Sequence, residues 1–367
     1  MGVAPQYCGN LGKRANGQVA VTTTYCDPVF SWPVNGQIYL PQEWIDDAER
    51  RKRAHLPPKT AFQTKPAIAL ALIDQARQSG VPFDLVVADG GYGDNPAFLD
   101  GLVERQVHGV VGVHRDFGVR LPAEVAEAAA RPVPLKRKGG RPRTRPHPEQ
   151  VAPLHRADAV LAAQPEEAWQ TISWRWGSVG PLTKRFLAVR VQRASGDHTG
   201  PGGWLLGERP PVGEAGEEKI SWSDLGEETS LARLAELAHR RPSVERGYED
   251  GKGLTGLGAY AARTRNSFQR HLILEFLVLS WLVLQHPPAS LPPISPDPQP
   301  VGSAEEPVFP LRPRSLPQSE GDPSRRLRFP RRGAPLLADS LGPARSHPAS
   351  WPAPLGRLSD QVSQPMT

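Results

Sequence analysis

Hydrophobic positions along the first third of the chain change period several times. Residues 18–25 (QVAVTTTY) and 35–40 (NGQIYL) alternate or run apolar with β-branched content, which predicts strands. Residues 62–78 (FQTKPAIALALIDQARQ) carry the spacing of an amphipathic helix. Leu85, Val86, Val87 and Ala88 form a short apolar run suited to a strand buried on both faces. Asp89 ends that run, and Gly90, Gly91 and Gly93 break it. A helix is expected from about Asn95 to Arg105, then a second buried strand at 109–114 (GVVGVH). Helix, strand, helix, strand predicts an α/β fold with a parallel pair.

The pattern changes after Asp116. Residues 131–150 are Pro-rich and basic, and three strands are expected at 169–176, 184–192 and 203–207. A helix near 229–240 leads into a longer helical stretch, 243–285. The longest apolar run, Leu272 to Leu284, is interrupted by Glu275 and too short to span a bilayer, so it reads as a buried helix. From Pro287 to the end, 19 prolines accompany only three aromatics, Phe309, Phe329 and Trp351. Such a segment buries too little apolar surface to offset its ordering entropy and is expected to be disordered.

Composition narrows the class. Gly 35 and Pro 41 together make about a fifth of 367 residues, against a usual ~12%. Hydrophobic residues are 38% and the formal charge is +6. One ordinary core diluted by non-folding sequence fits these figures; a membrane protein, a disulfide scaffold and a collagen do not. The N-terminus has no apolar signal core, and Cys8 and Cys26 form no CxxC pair, so a structural zinc is not expected and a reducing cytoplasm is.

Two places carry candidate chemistry. Asp89 ends a central strand, where α/β sheets put their sites, and the glycines behind it would let a ligand or metal approach. A plain turn aspartate capping the next helix would look the same. The second place is RRPSVERGYEDGKG, 240–253. Pro242 fits a helix first turn. Arg241, Glu245 and Lys252 fall at i, i+4 and i+11, about three turns, and would share one face, with Glu249 near it. Ordinary solvent-facing pairs have that spacing too. Gly247, Gly251 and Gly253 weaken such a helix by roughly 1 kcal/mol each, which suggests a close approach there.

Arg241-x3-Glu245-x6-Lys252 resembles the end of the Tyr-x2-Arg-x3-Glu-x6-Lys signature of bacterial insertion-sequence transposases of the DDE type. GVAPQYCGNLGKRANGQVAV, YLPQEWIDD, FQTKPAIALALI, VADGGYGDN, WRWGSVGPL and RNSFQRHLILEFLVLSWL resemble segments of such a family in the expected order, over roughly residues 2–285. The resemblance implies an RNase H-like, retroviral-integrase-like core with a β-rich insertion. Its parts would be 1–116, the first part of the core; 117–228, a basic loop and then strands; 229–286, the helical end carrying the third acid; and 287–367, the Pro/Arg-rich tail. It implies three acids holding two Mg2+ (or Mn2+) ions for DNA cleavage and strand transfer, with Asp89 the second acid and Glu245 the third. Arg241 and Lys252 would contact DNA phosphates near the cut. In relatives the first acid lies in an Asp-Asp-Thr-Gly-like run just upstream of the segment matching Gly2–Gly9. The chain therefore reads as N-terminally truncated and impaired. Asp27, Asp46 and Asp47 are the nearest acids, but Asp46 and Asp47 match a non-catalytic stretch. Pro242 stands where relatives have Trp, and Ala238 where the signature has Tyr. The tail has no counterpart; its bias is what a frameshift would give.

Lys136, Arg137, Lys138, Arg141, Arg143 and Arg145 form a basic run without acids, and Gly140-Arg141-Pro142 is like the core of an AT-hook. Non-specific phosphate contact, minor-groove insertion and a solvated loop all fit it. Trp174 and Trp176 flank Arg175; such aromatics more often pack a sheet than stack on a base. His271 reads as a packed or surface histidine. Three outcomes remain open: a transposase acting on its element's DNA ends, a binding remnant that contacts DNA or a full-length partner, and a decayed reading frame. DNA, and a second copy or full-length transposase, are the expected partners, in the bacterial cytoplasm at the nucleoid.

Overall fold

A computed structural model describes residues 1–8, 13–27, 31–132, 147–177, 180–260 and 264–285. The basic run at 136–146 and the tail from 287 lie outside these residues. All of the described residues belong to the unit Met1–Pro298.

The chain opens with two hairpins. β1 (Ala4–Cys8) pairs antiparallel with β2 (Lys13–Gly17), and β3 (Ala20–Cys26) with β4 (Ser31–Ile38). Two short helices come next, α1 (Gln42–Asp46) and α2 (Ala48–Arg53), the second capped by Asp47. α3 (Lys65–Gln78) starts where the Thr64 side chain accepts from the Ala67 N–H at 3.2 Å. It buries Ile68, Ala69, Leu72, Ile73 and Ala76, positions that repeat every three or four residues.

β5 (Leu85–Ala88) then runs parallel to β6 (His108–Val113), with α4 (Gly90–Gly93) and α5 (Pro96–Glu104) between them. The expected α/β pattern and parallel pair are present. β5, however, is half-buried along its length, because it ends the main sheet and β6 covers only one of its edges. The β3–β4 hairpin makes a separate two-stranded sheet, yet Val21 of β3 joins the same apolar core as Val111 of β6.

Beyond β7 (Gly118–Arg120), α6 (Pro122–Ala130), β8 (His155–Arg156) and α7 (Ala157–Ala162), the chain becomes β-rich. β9 (Gln170–Trp176), β10 (Pro181–Ser195), β11 (His198–Arg209) and β12 (Lys219–Ser223) complete an eight-stranded sheet. Its order is β5-β6-β12-β11-β10-β7-β8, with β9 also on β10. The insertion is thus continuous with the α/β part, since β12 pairs antiparallel with β6. α8 (Leu231–Ala238) buries Leu234 and Ala235 against Phe186 and Leu206 of that sheet.

The expected single helical stretch at 243–285 is two helices. α9 (Pro242–Asp250) passes into a π-turn at Gly251–Thr255 and stops at Gly256, whose φ of 87° is left-handed. α10 (Arg265–Gln285) comes after it. It buries Leu272, Phe276 and Leu279, but much of its remaining apolar surface is exposed, so the expected buried helix is buried on one side only.

Candidate functional site

The end of β5 places Asp89 at the sheet edge as the N-cap of α4, and its side chain accepts from the Gly91 N–H at 3.0 Å. Asp89 thus caps a turn and stands at the carboxyl end of a parallel strand, which is the edge strand of the sheet and not the central one expected. α4 can pack on β6 only because residue 93 lacks a side chain. A Cβ on Gly93 would lie 1.9 Å from the Gly112 carbonyl oxygen. The packing of α4 on β6 alone therefore requires a glycine here.

Arg241, 152 residues further on, donates from Nη2 to Asp89 Oδ2 at 3.4 Å. The same nitrogen lies 3.1 Å from Glu245 Oε1 one helical turn along α9. One guanidinium thus bridges the two expected acids. All three groups are open to solvent, with side-chain exposures of 43% (Asp89), 41% (Arg241) and 55% (Glu245).

Tyr248 lies on the same side of α9, and its hydroxyl hydrogen-bonds Thr22 Oγ1 on β3. Burial, and then the Asp89 charge, push the Tyr248 phenol up; the Thr22 bond pulls the other way. Tyr92 in α4 is pushed up to about 12 by burial and then by Asp89 and Tyr248. Both phenols therefore stay protonated near neutral pH and remain hydrogen-bond donors beside the acid. His114, just past β6, is held by Asp94: its N–H donates to Oδ1 at 3.0 Å, and its ring Nδ1 pairs with Oδ2. Tyr248 was within reach of sequence reasoning, since it is i+7 from Arg241 on the same face. The Asp94–His114 pairing had no sequence signal.

Lys252 does not share this arrangement. It sits exposed on the π-turn, whose wider pitch upsets the i+11 arithmetic, and no described contact joins it to Asp89, Arg241 or Glu245. Of the three glycines, only Gly251 meets a close approach, with Leu257 and Leu279 at 3.1 and 3.2 Å from a Cβ placed there; Gly247 and Gly253 face open space. Asp47 caps α2 and pairs with Arg50 at 3.1 Å, and Asp46 accepts from Gln42 at 2.8 Å. Among the described residues no three Asp, Glu, His or Cys side chains gather as a metal site. Trp174 packs: its ring stacks on His239 at 3.8 Å and meets Phe186 edge-on. His271 is partly buried on α10, with Nε2 3.4 Å from the Leu257 carbonyl.

Asp89 and Glu245 offer only oxygen donors, as Mg2+ and Mn2+ prefer, and two carboxylates suffice for one hydrated ion. Arg241 lies between the two carboxylates and pairs with both.

Comparison with known proteins agrees with the resemblance. Residues 1–181, which include Asp89 but neither Arg241 nor Glu245, match a family described as DDE superfamily endonuclease. A probable transposase for insertion sequence element IS701 from Microchaete diplosiphon is 33% identical over 122 residues, 32% of this chain and 29% of that protein. The similar stretch thus spans less than a third of the relative's length. Just under half of the chain is thus similar to the DDE superfamily endonucleases, and the two matches together support a DDE-type insertion-sequence transposase.

Proposed function

We propose that Asp89 and Glu245 are two of the metal-holding carboxylates of an RNase H-like DNA-cleaving and strand-joining centre, with Arg241 as its phosphate contact. The observation that carries this reading is the meeting of Asp89, Arg241 and Glu245 across 152 residues of sequence. The parallel β5–β6 pair with an acid at its end supports the RNase H-like assignment. So does the β3–β4 hairpin, which reaches the site through Thr22. The divisions near residues 116, 228 and 286 belong to the same proposal.

A bound Mg2+ or Mn2+ would activate water or a 3′-hydroxyl and stabilise the leaving oxygen of an in-line displacement. Asp89 and Glu245 would hold one such ion; a second needs a further carboxylate, which the described residues do not bring there. In the DNA-bound arrangement Arg241 turns from the two acids to a phosphate oxygen, for which its planar fork is suited. Tyr92 and Tyr248 donate hydrogen bonds at the same place, where Ala238 supplies none. Lys252 and the run from Lys136 to Arg145 add cations along the DNA. The chain acts in the cytoplasm on nucleoid DNA, together with a second copy or a full-length relative.

A second reading is binding without cleavage; it is favoured by the two carboxylates, rather than three, that meet among the described residues. One experiment separates these readings. The full chain, Asp89→Ala and Glu245→Ala are titrated onto labelled duplex DNA over a salt series, with and without Mn2+. Neutralising about six phosphates would cost ~1,000-fold in affinity between 50 and 200 mM salt. Nicking that needs Mn2+ and is lost in both variants sustains the enzyme reading. Salt-dependent binding without nicking selects the second. No binding at low salt overturns both.

A further inference from the structure

Two faces of α10 differ in what they touch. Leu272, Phe276 and Leu279 are buried in the protein body, and Gln269 Nε2 ties that side to the Gly36 carbonyl at 2.7 Å. Across the helix, Ile273, Leu274, Leu277, Val278, Trp281 and Leu284 are 45–68% exposed. Leu274, Leu277, Trp281 and Leu284 fall at intervals of three, four and three, the seam spacing of paired helices. From Phe276 to Gln285 there is no charged residue.

We propose that this face of α10 is the self-association surface of the protein, and that its occupant is the same helix of a second copy. Six large side chains at such exposures present about 600 Å², the upper end of what a monomer leaves in one patch. Two such faces bury about 1,200 Å², within the range of specific interfaces. The face is apolar throughout and so complements itself. The 287–367 segment, with 19 prolines and three aromatics, offers no comparable apolar stripe to cover it. A lipid surface fits less well. The apolar stripe has cations only at its N-terminal end (Arg265 and Arg270), and the opposite face is fixed to the protein.

Charge also sets the direction. In a parallel pair Arg270, one heptad before Leu277, would meet its own copy. In an antiparallel pair Leu277 lies on the two-fold axis, and Arg270 faces the partner's Leu284 near the helix C-terminus, where a cation is favoured. The surface is argued from the helix alone and survives failure of the DNA-cleavage reading.

Sedimentation velocity of the full chain at about 10 μM tests the proposal, alongside Leu277→Glu, which sets two carboxylates face to face on the axis. The expected result is a dimer for the unaltered chain and self-association at least ~100-fold weaker for the variant, with unchanged far-UV circular dichroism. A second variant covers misfolding: Leu277→Cys, in a chain with Cys8 and Cys26 replaced by serine, forms a disulfide-linked dimer, whereas Leu284→Cys does not. A monomeric unaltered chain overturns the proposal. So does a dimer untouched by Leu277→Glu, absence of the Leu277→Cys cross-link, or a monomer that sediments with neutral phosphatidylcholine vesicles. A Leu284→Cys cross-link overturns the antiparallel arrangement.

Discussion

Two ionic clusters lie on either side of one short segment of chain, and they are built in opposite ways. Ahead of it, Glu208 of β11 is 6% exposed and takes both Lys184 and His239. After it, Asp89 and Glu245 share the single guanidinium of Arg241, with about half of each side chain in water. His239 and Arg241 are two residues apart. The first cluster is closed by the stacked Trp174 and by Phe186. The second is closed by nothing described on its outer side. Burial makes the first cluster costly to break, because a charge left alone in the interior is not resolvated. Exposure makes the second easy to exchange, since an open ion pair contributes little and its cation can be replaced. The first anchors α8 to the sheet and so fixes where α9 begins. The second stays adaptable at the place proposed above for metal and phosphate.

The comparison is tested most severely by removing one acid from each cluster. Glu208→Ala should lower unfolding free energy by about 3 kcal/mol, since Lys184 and His239 lose their shared partner. Asp89→Ala should cost no more than about 1 kcal/mol, the worth of an exposed pair and a cap. Urea denaturation followed by tryptophan fluorescence measures both, and equal losses would break the contrast. Gly93→Ala is next: its Cβ would press on the Gly112 carbonyl, so about 2 kcal/mol is expected. Gly91→Ala should cost less, because the nearest atom there is the movable Asp89 Oδ1 at 3.2 Å.

Acid should weaken the buried cluster as Glu208 takes up a proton. Burial works to raise the Glu208 pKa, but bonds from His239 and Lys184 outweigh it and hold the carboxyl below its ordinary value of 4.5. Asp74 is lowered in the same sense by the two-pronged bond from Arg105 that ties α3 to α5. For a depressed acid the stabilisation is complete above the unfolded-state value and is lost as pH falls through the folded one. Stability should therefore be flat from neutral pH to about 5 and decline below 4.5, and Glu208→Gln should make that decline shallower. An unchanged slope in Glu208→Gln would mean that Glu208 takes no part in it.

The same contrast governs how much of the fold and site was legible in the sequence. α3, β5, α5 and β6 could be read from their apolar stripes or runs, with Thr64, Asp89 and Asn95 capping the starts of α3, α4 and α5. β10 and β11 are longer than their apolar runs, since Arg185 to Arg209 pairing extends the ladder through polar and glycine-rich residues. β12 was not read because its five residues alternate Ile220 and Trp222 with Lys and Ser, without the continuous apolar run that marks the four of β5. The β1–β2 hairpin had none because it is polar. The join of α9 to α10 was hidden because periodicity does not register a π-turn or a left-handed glycine. At the site, spacing alone linked Arg241 to Glu245, and only the family resemblance linked them to Asp89. The Glu208–Lys184–His239 cluster is long-range in sequence and had no signal at all.

The smallest expected effect sharpens the comparison most. If Arg241 neutralises two acids that otherwise hold an ion, it competes with that ion. Arg241→Gln should then leave folding within about 1 kcal/mol of the unaltered chain, because the pairs it makes are exposed. It should also tighten Mn2+ binding, by about tenfold for an interaction of ~1.4 kcal/mol between the guanidinium and the carboxylates. Mn2+ titration followed by electron paramagnetic resonance reads the affinity, with Asp89→Asn as the control in which binding weakens. DNA affinity should move the other way in Arg241→Gln, since a phosphate contact is lost. Weaker Mn2+ binding in Arg241→Gln would mean that the arginine organises the two carboxylates rather than competing for them, and the exposed cluster would then be as fixed as the buried one.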